Sequence, residues 1–299
     1  MDTLKGRVAV VTGAAGGIGL AMAKHFANEG MKLVIADVDA TALSHAHKSL
    51  TAGGATVLAV PTDVSSQPQV AALADAAYAE YGAVHVLCNN AGVATAALRT
   101  LAWETRLSDW EWIHRVNFMG VLHGVLAFVP RMLAGGDEGH VVNTASVAGL
   151  ISAGTPYFVS KHAVACFTEG LYKDLKGIGA KVSASVLCPG LIRTAIADAE
   201  RNRPSQFGPA MDVGALPDNV RAMASAFRAA LDAGYDPALV AAAVAEGIRR
   251  DQFYIVPAQQ HLQETIDLRM HDILERRNPT LLPQSVLLAP DSAPGRPVD

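Results

Sequence analysis

Positive charge is scarce in this chain and nowhere concentrated. Its 24 lysines and arginines are set against 28 acids, for a net charge of −4, and no basic run or stripe occurs. Nucleic acid and anionic membrane surfaces are therefore not expected partners. Cysteine is scarce as well: Cys88, Cys166 and Cys188 have neither metal nor redox spacing, which fits buried packing in a reducing cytosol and a cytoplasmic location. The ten histidines are scattered, with His45 and His47 on a solvated helix pattern, so no metal is expected. No uninterrupted apolar stretch reaches about 18 residues, so no membrane span is expected. A strand begins at Arg7, so no signal peptide is expected. No internal repeat is visible. Charged residues are only 17% of the chain and apolar ones 51%, enough to build a large core.

What the chain has is a regular alternation. Apolar strand patterns at 8–11, 32–37, 56–63, 84–92, 140–146, 182–190 and 253–257 alternate with helix patterns. The helices run to about Asn28 and Ala52, then over 67–81, 109–133, 156–177, 237–250 and 258–277. Continuous β-rich runs separated by helices predict an α/β fold, a Rossmann-type doubly wound parallel sheet. Ligands of such sheets lie at the carboxyl ends of the strands. Residues 191–235 break the rhythm with Pro204, Gly208, Pro209, Gly214 and Pro217, as expected of a substrate lid. The expected organisation is one catalytic domain over 1–277, followed by a tail (278–299) with five prolines and no periodicity.

Three segments carry chemistry. Tyr157 and Lys161 stand at i and i+4 on one helix face, with Ser146 upstream at a strand end. A cation there is expected to lower the phenol pKa, and a phenol so tuned trades protons with an alcohol or carbonyl. Ser146 could hold the reacting oxygen. TGAAGGIG (12–19) sits between the first strand and a helix, where glycines admit a pyrophosphate to helix N–H groups. Asp37 ends the second strand, where a carboxylate accepts ribose hydroxyls and repels a 2′-phosphate. This favours NAD over NADP.

These motifs together resemble the short-chain dehydrogenase/reductase family. Besides the segments above, the resemblance rests on Asp63-Val64, NNAG at 89–92, Asn117 within RVNFMG, YFVSK at 157–161 and PGLIRT at 189–194. It implies a general acid/base in Tyr157, pKa tuning and ribose contact by Lys161, and an oxygen clamp in Ser146. Asn117 would hold a relay water where it kinks the long helix. It also implies a cofactor site of Gly13, Gly17, Ile18, Gly19, Asp37, Asp63, Val64, Asn90, Ala91, Gly92, Pro189, Gly190, Ile192 and Thr194, joined by Tyr157 and Lys161. A homodimer or homotetramer is implied through the two long helices. Asn89 is expected to tie strands, and Trp103, Trp110 and Trp112 to pack the loop and helix start. The Ser146–Tyr157 interval is about two residues shorter than the family's usual one, which puts the wall around Ser152 and Ala153 in question.

The substrate walls read as apolar: Ala94, Ala96, Ala97, Leu98, Leu101, Ile196, Phe207 and Met211. A fairly bulky secondary alcohol or ketone is expected as the small-molecule partner. Residues 199–208 and 235–257 are similar to the Cα-dehydrogenases of lignin β-aryl-ether breakdown, which favours an aryl, benzylic alcohol. The alternatives are a 3-oxoacyl thioester or steroid/polyol dehydrogenase and, in another class, an NAD(H)-sensing protein without turnover.

Overall fold

The computed structural model describes residues 1–95, 101–212, 214, 218–257 and 260–281. Seven parallel strands form one sheet in the order β3-β2-β1-β4-β5-β6-β7. They are β1 (Val8–Thr12), β2 (Lys32–Asp37), β3 (Val57–Pro61), β4 (Val86–Asn89), β5 (Gly139–Thr144), β6 (Val182–Leu187) and β7 (Tyr254–Ile255). The helices are α1 (Gly17–Asn28), α2 (Ala40–Ala52), α3 (Gln67–Tyr81), α4 (Leu107–His114), α5 (Gly120–Gly135), α6 (Pro156–Gly177), α7 (Asp218–Asp232), α8 (Pro237–Arg249) and α9 (Gln260–Leu274). The single-domain, doubly wound expectation holds. The strand order reverses between β1 and β4, which opens the crevice where such folds bind ligands.

Two apolar layers clamp the sheet. Val11, Leu33 and Ile35 pack with Met22 and Phe26 of α1 and Val244 and Ile248 of α8. Val10, Val34 and Leu87 pack with Leu73 of α3 and Phe128 and Met132 of α5. Asn89 behaves as expected, donating to Asn143 Oδ1 across to β5 at 2.9 Å. By length and composition the stretch Leu107–Gly135 could cross a membrane, yet Val125, Phe128, Val129 and Met132 on it are buried against the sheet, so it is a core helix. Cys88 and Cys188 are buried, but Cys166 is exposed on α6, against the expectation of three buried thiols.

The strands stop short of the predicted ends. Residues 90–92, 145–146 and 188–190 leave the ladder and turn into the crevice instead. Apolar runs continue past the last paired residue because these overhangs are themselves covered, with Ala145 and Cys188 almost wholly buried. The predicted helix over 109–133 is interrupted by a π turn at Arg115–Met119. Ala96, Ala97, Leu98, Pro217 and the tail beyond Leu281 lie outside the described residues.

One buried histidine makes the fold pH-sensitive. His140 on β5 meets Ser185 Oγ at 2.6 Å. Since that hydroxyl donates to Gln252 O, His140 Nε2–H is the donor. Burial is the main cause that lowers the His140 pKa from 6.5 to about 4; Asp251 opposes the shift, while the N-terminus and Lys176 add to it. The folded pKa lies below the unfolded one, so between these values the unfolded chain binds the extra proton. Stability therefore falls as pH drops through that window, by about 3 kcal/mol in all. Urea unfolding across this range should show the slope, and His140→Gln should flatten it. An unchanged slope in the variant would assign the effect elsewhere.

Candidate active site

Beyond the carboxyl ends of the strands lies a continuous cavity of about 370 Å³. At one end the β1–α1 turn approaches β4 so closely that side chains are excluded. A Cβ on Gly13, whose φ is +66°, would lie 2.8 Å from Ala91 Cα, and one on Gly19 would lie 2.1 Å from Gly13 O. Thr12 Oγ1 ties this turn to β4 by accepting from Asn90 N at 2.9 Å and Ala91 N at 3.2 Å. Asn90 Nδ2 donates to Thr12 O at 3.0 Å. The result is a cradle of backbone facing the N-terminus of α1, which suits a pyrophosphate. Asp37 borders it, with Oδ2 accepting from Ala15 N at 3.0 Å and Oδ1 from Asp39 N at 3.1 Å. Asp63 and Val64 continue the same wall. Val64 is held by His123, which meets its carbonyl at 2.9 Å, and Gly120 leaves it room.

At the other end three polar side chains converge. Ser146 caps the short 3-10 turn Val147–Gly149, accepting from Ala148 N at 3.1 Å. Its own hydroxyl donates to Pro189 O at 3.2 Å. Tyr157 stands in the first turn of α6, where Pro156 suits the helix start. Lys161, one turn on, is buried, donates to Thr144 O at 2.9 Å and lies 5.7 Å from the centre of the Tyr157 ring.

The electrostatics differ from the expectation in one respect. Burial raises the Tyr157 pKa, and the Ser146 hydroxyl is what opposes it. Lys161 is not among the influences on that shift, and burial brings its own ammonium down to about 8. Each group is thus poised toward its neutral form by the loss of water.

Asn117 sits at the centre of the π turn with both amide hydrogens engaged. Oδ1 accepts from Val93 N at 2.8 Å, and Nδ2 donates to Val93 O at 3.0 Å and Ser160 Oγ at 3.1 Å. Ser160 in turn donates to Tyr157 O at 2.8 Å. The Asn117 side chain therefore locks the kink and braces the tyrosine turn rather than offering free donors. A Cβ on Gly92 would lie 3.4 Å from both Asn117 Oδ1 and Lys161 Nζ, so these groups share one small space. Gly190, Ile192 and Thr194 complete the cavity beside Gly17 and Ile18. Every sequence-predicted site residue except Gly19 and Asn117 borders the cavity itself, and Pro189 also accepts the Ser146 hydroxyl on its carbonyl.

The substrate side differs from the expected wall. Ala94 and Ile196 line it, but Leu101, Phe207 and Met211 do not. Phe207 packs instead beneath Trp112 and Ile113. The short interval after Ser146 is accommodated by close packing: a Cβ on Gly149 would lie 2.6 Å from Lys161 O. Ile151 then forms the wall, while Ser152 and Ala153 stay outside it. Unforeseen lining comes from Trp112, Val116, Phe158 and, on α7, Val220, Met223, Phe227 and Leu231. Of the three tryptophans only Trp112 is core; Trp110 stacks on His114 and Trp103 is 81% exposed.

Beneath Trp112 lies a buried ion cluster that no motif announced. Arg203 reaches Asp109 at 2.6 Å and Glu200 at 3.4 Å, and its side chain is 1% exposed. The guanidinium lies 4.8 Å from the Trp112 ring centre and donates to Phe207 O at 2.9 Å. The cluster joins the start of α4 to the 191–235 segment.

Comparison with known proteins matches residues 7–205 to the short chain dehydrogenase family model. The C alpha-dehydrogenase of Sphingobium is 33% identical, over 89% of this chain and 88% of that one. The 1-deoxy-11-beta-hydroxypentalenate dehydrogenase of Streptomyces exfoliatus is 43% identical, over 64% of this chain and 69% of that one. Among solved structures, a short chain dehydrogenase/reductase from Burkholderia phymatum in complex with NAD is 44% identical and has a TM-score of 0.89. The match covers 95% of this chain and all of that one.

Proposed function

The chain belongs to the short-chain dehydrogenase/reductase family, whose members are oxidoreductases acting on CH–OH groups, and we propose that it oxidises a bulky, apolar secondary alcohol with NAD. The convergence of Ser146, Tyr157 and Lys161 at one end of a cavity whose other end is a side-chain-free cradle carries this reading. The cradle fits the dinucleotide: Gly13, Gly17, Ile18 and Gly19 would face its pyrophosphate, Asp37 its adenosine ribose, and Asp63 and Val64 its adenine. Asn90, Ala91, Gly92, Lys161, Pro189, Gly190, Ile192 and Thr194 would hold the nicotinamide half. The carboxylate of Asp37 disfavours a 2′-phosphate. NAD supplies the hydride acceptor; the protein supplies position and proton transfer.

Tyr157 Oη, as the phenolate, takes the carbinol proton and becomes the phenol while Ser146 Oγ holds the same oxygen. Both stabilise the alkoxide character that develops there. Lys161 stands beside the tyrosine as the next proton donor and acceptor. Asn117 maintains the widened turn next to Lys161, and its relay role passes through that turn's geometry rather than through its amide hydrogens, which are both engaged. The segment 191–235 acts as the lid. Trp112, Phe158 and Phe227 around the cavity support an aryl substrate, as does the similarity to a C alpha-dehydrogenase across most of the chain. Exposed Leu126 on α5 and Val159 on α6 support pairing of subunits through these helices.

The test is NADH formation across a panel of secondary aryl alcohols, hydroxyacyl thioesters and steroids, run with NAD and with NADP. Turnover should occur with the aryl alcohols, and NAD should be preferred at least about tenfold in kcat/KM. NADH binding without turnover of any member would replace the dehydrogenase reading with that of a sensor.

A further inference from the structure

Charge is segregated along the cavity. Asp37, Asp39 and Asp63 border the cradle end, whereas the cations on the lining are Lys161 and Arg201. Lys161 is accounted for by the proton chemistry; Arg201 is not. It lies in the 3-10 helix Ala195–Asn202 of the lid, and that helix is clamped on both sides. Asp198 is gripped by Arg228 of α7, through Nη1 at 3.0 Å and also through Nη2. Glu200 and the buried Asp109 are engaged by Arg203. The acids of this segment are thus taken by other arginines. Arg201 Nη1 donates only to main-chain oxygens, Ala195 O at 3.3 Å and Asp198 O at 2.9 Å. Its pull on the Asp198 carboxylate is weaker than that of Arg228. Among the described residues Arg201 has no carboxylate partner, and Nε and Nη2 carry no hydrogen bond. The clamps hold this segment, and with it an exposed guanidinium with donors to offer, at the edge of a mainly apolar wall of Ile196, Ala199, Met223 and Phe227 that also includes Asn202.

We propose that Arg201 binds a carboxylate on the substrate, so that the alcohol oxidised is an apolar hydroxy acid whose acid group is remote from the reacting carbinol. This rests on the dehydrogenase reading. A guanidinium is weakly hydrated for a cation and presents paired donors that match a carboxylate. Held at the lid, it selects acids without adding a charge near the transferred hydride.

The experiment compares kcat/KM for 1-arylalkanols carrying a terminal carboxylate, over a ladder of tether lengths, with their methyl esters. Wild-type enzyme should prefer the acid of the best length by about tenfold, and the preference should shrink with added salt. Arg201→Gln should collapse the acid-to-ester ratio by a similar factor, and Arg201→Lys should restore part of it. Neutral alcohols and esters turned over as well as the acids would overturn the inference while leaving the dehydrogenase reading intact. So would a variant that weakens NADH binding and affects acid and ester alike, because Arg201 would then serve the cofactor. Oxidation of no member of the series would overturn both.

Discussion

Replacing Tyr157 by phenylalanine should lower kcat by about 10³-fold, the size of a lost general acid/base, with NADH affinity within about threefold of wild type. The substitution is narrow. The ring keeps its edge contact with Phe158, 6.3 Å between centroids, and its place beside the Lys161 ammonium. Only the hydroxyl, and with it the contact to Ser146, is removed. The dinucleotide cradle is made by Gly13, Gly19, Asn90 and Asp37 at the far end of the cavity, so its affinity has little reason to change. The raised phenol pKa gives the prediction a direction in pH as well. Reduction, which needs the neutral phenol, should hold its rate until pH nears the raised pKa and then fall, whereas oxidation, which needs the phenolate as proton acceptor, should rise with pH over the same range. Stopped-flow NADH binding and steady-state turnover separate the two effects. A Phe variant keeping a tenth or more of the activity would remove Tyr157 from the mechanism.

Arg203→Met should be the most destabilising single change in the segment 191–235, by about 3 kcal/mol in urea unfolding. Methionine fills the space but strands Asp109, a carboxylate with almost no exposure, whose remaining cationic partner is Arg106 at 2.9 Å. Glu200 and Phe207 O lose a donor at the same time. Trp112, which borders the cavity, loses the guanidinium packed on its ring. KM for the alcohol should therefore rise while NADH affinity holds. Arg203→Lys keeps the charge but not the fork of donors and should fall between the two. A loss below about 1 kcal/mol would mean that Arg106 alone satisfies Asp109.

The fold was legible because a buried parallel sheet writes continuous apolar runs, and these are hard to mistake when helices separate them. The catalytic end was legible because Tyr157 and Lys161 are fixed by local helix spacing, and Gly13 and Gly19 by a close approach that allows no Cβ. What stayed hidden depends on contacts between distant segments. Arg203 and Asp109 are 94 residues apart, and each alone reads as a surface charge. Ser160 matters only because the π turn brings Asn117 to it. Residues on α7 line the cavity because the chain after β6 folds back over the site, which no periodicity reports. Spacing sets the proximity of Lys161 and Tyr157, while burial, a property of the whole site, raises the phenol pKa.

The central claim is that hydride leaves a carbinol carbon held by Ser146 and Tyr157. It is tested most directly with 1-phenylpropanol or the panel's preferred alcohol carrying deuterium at that carbon. The proposed chemistry predicts that the label appears in the reduced cofactor, with a slowed oxidation rate in wild-type enzyme and labelled cofactor formed about 10³-fold more slowly with Tyr157→Phe. Label released to solvent, or labelled cofactor formed equally by the Phe variant, would contradict it.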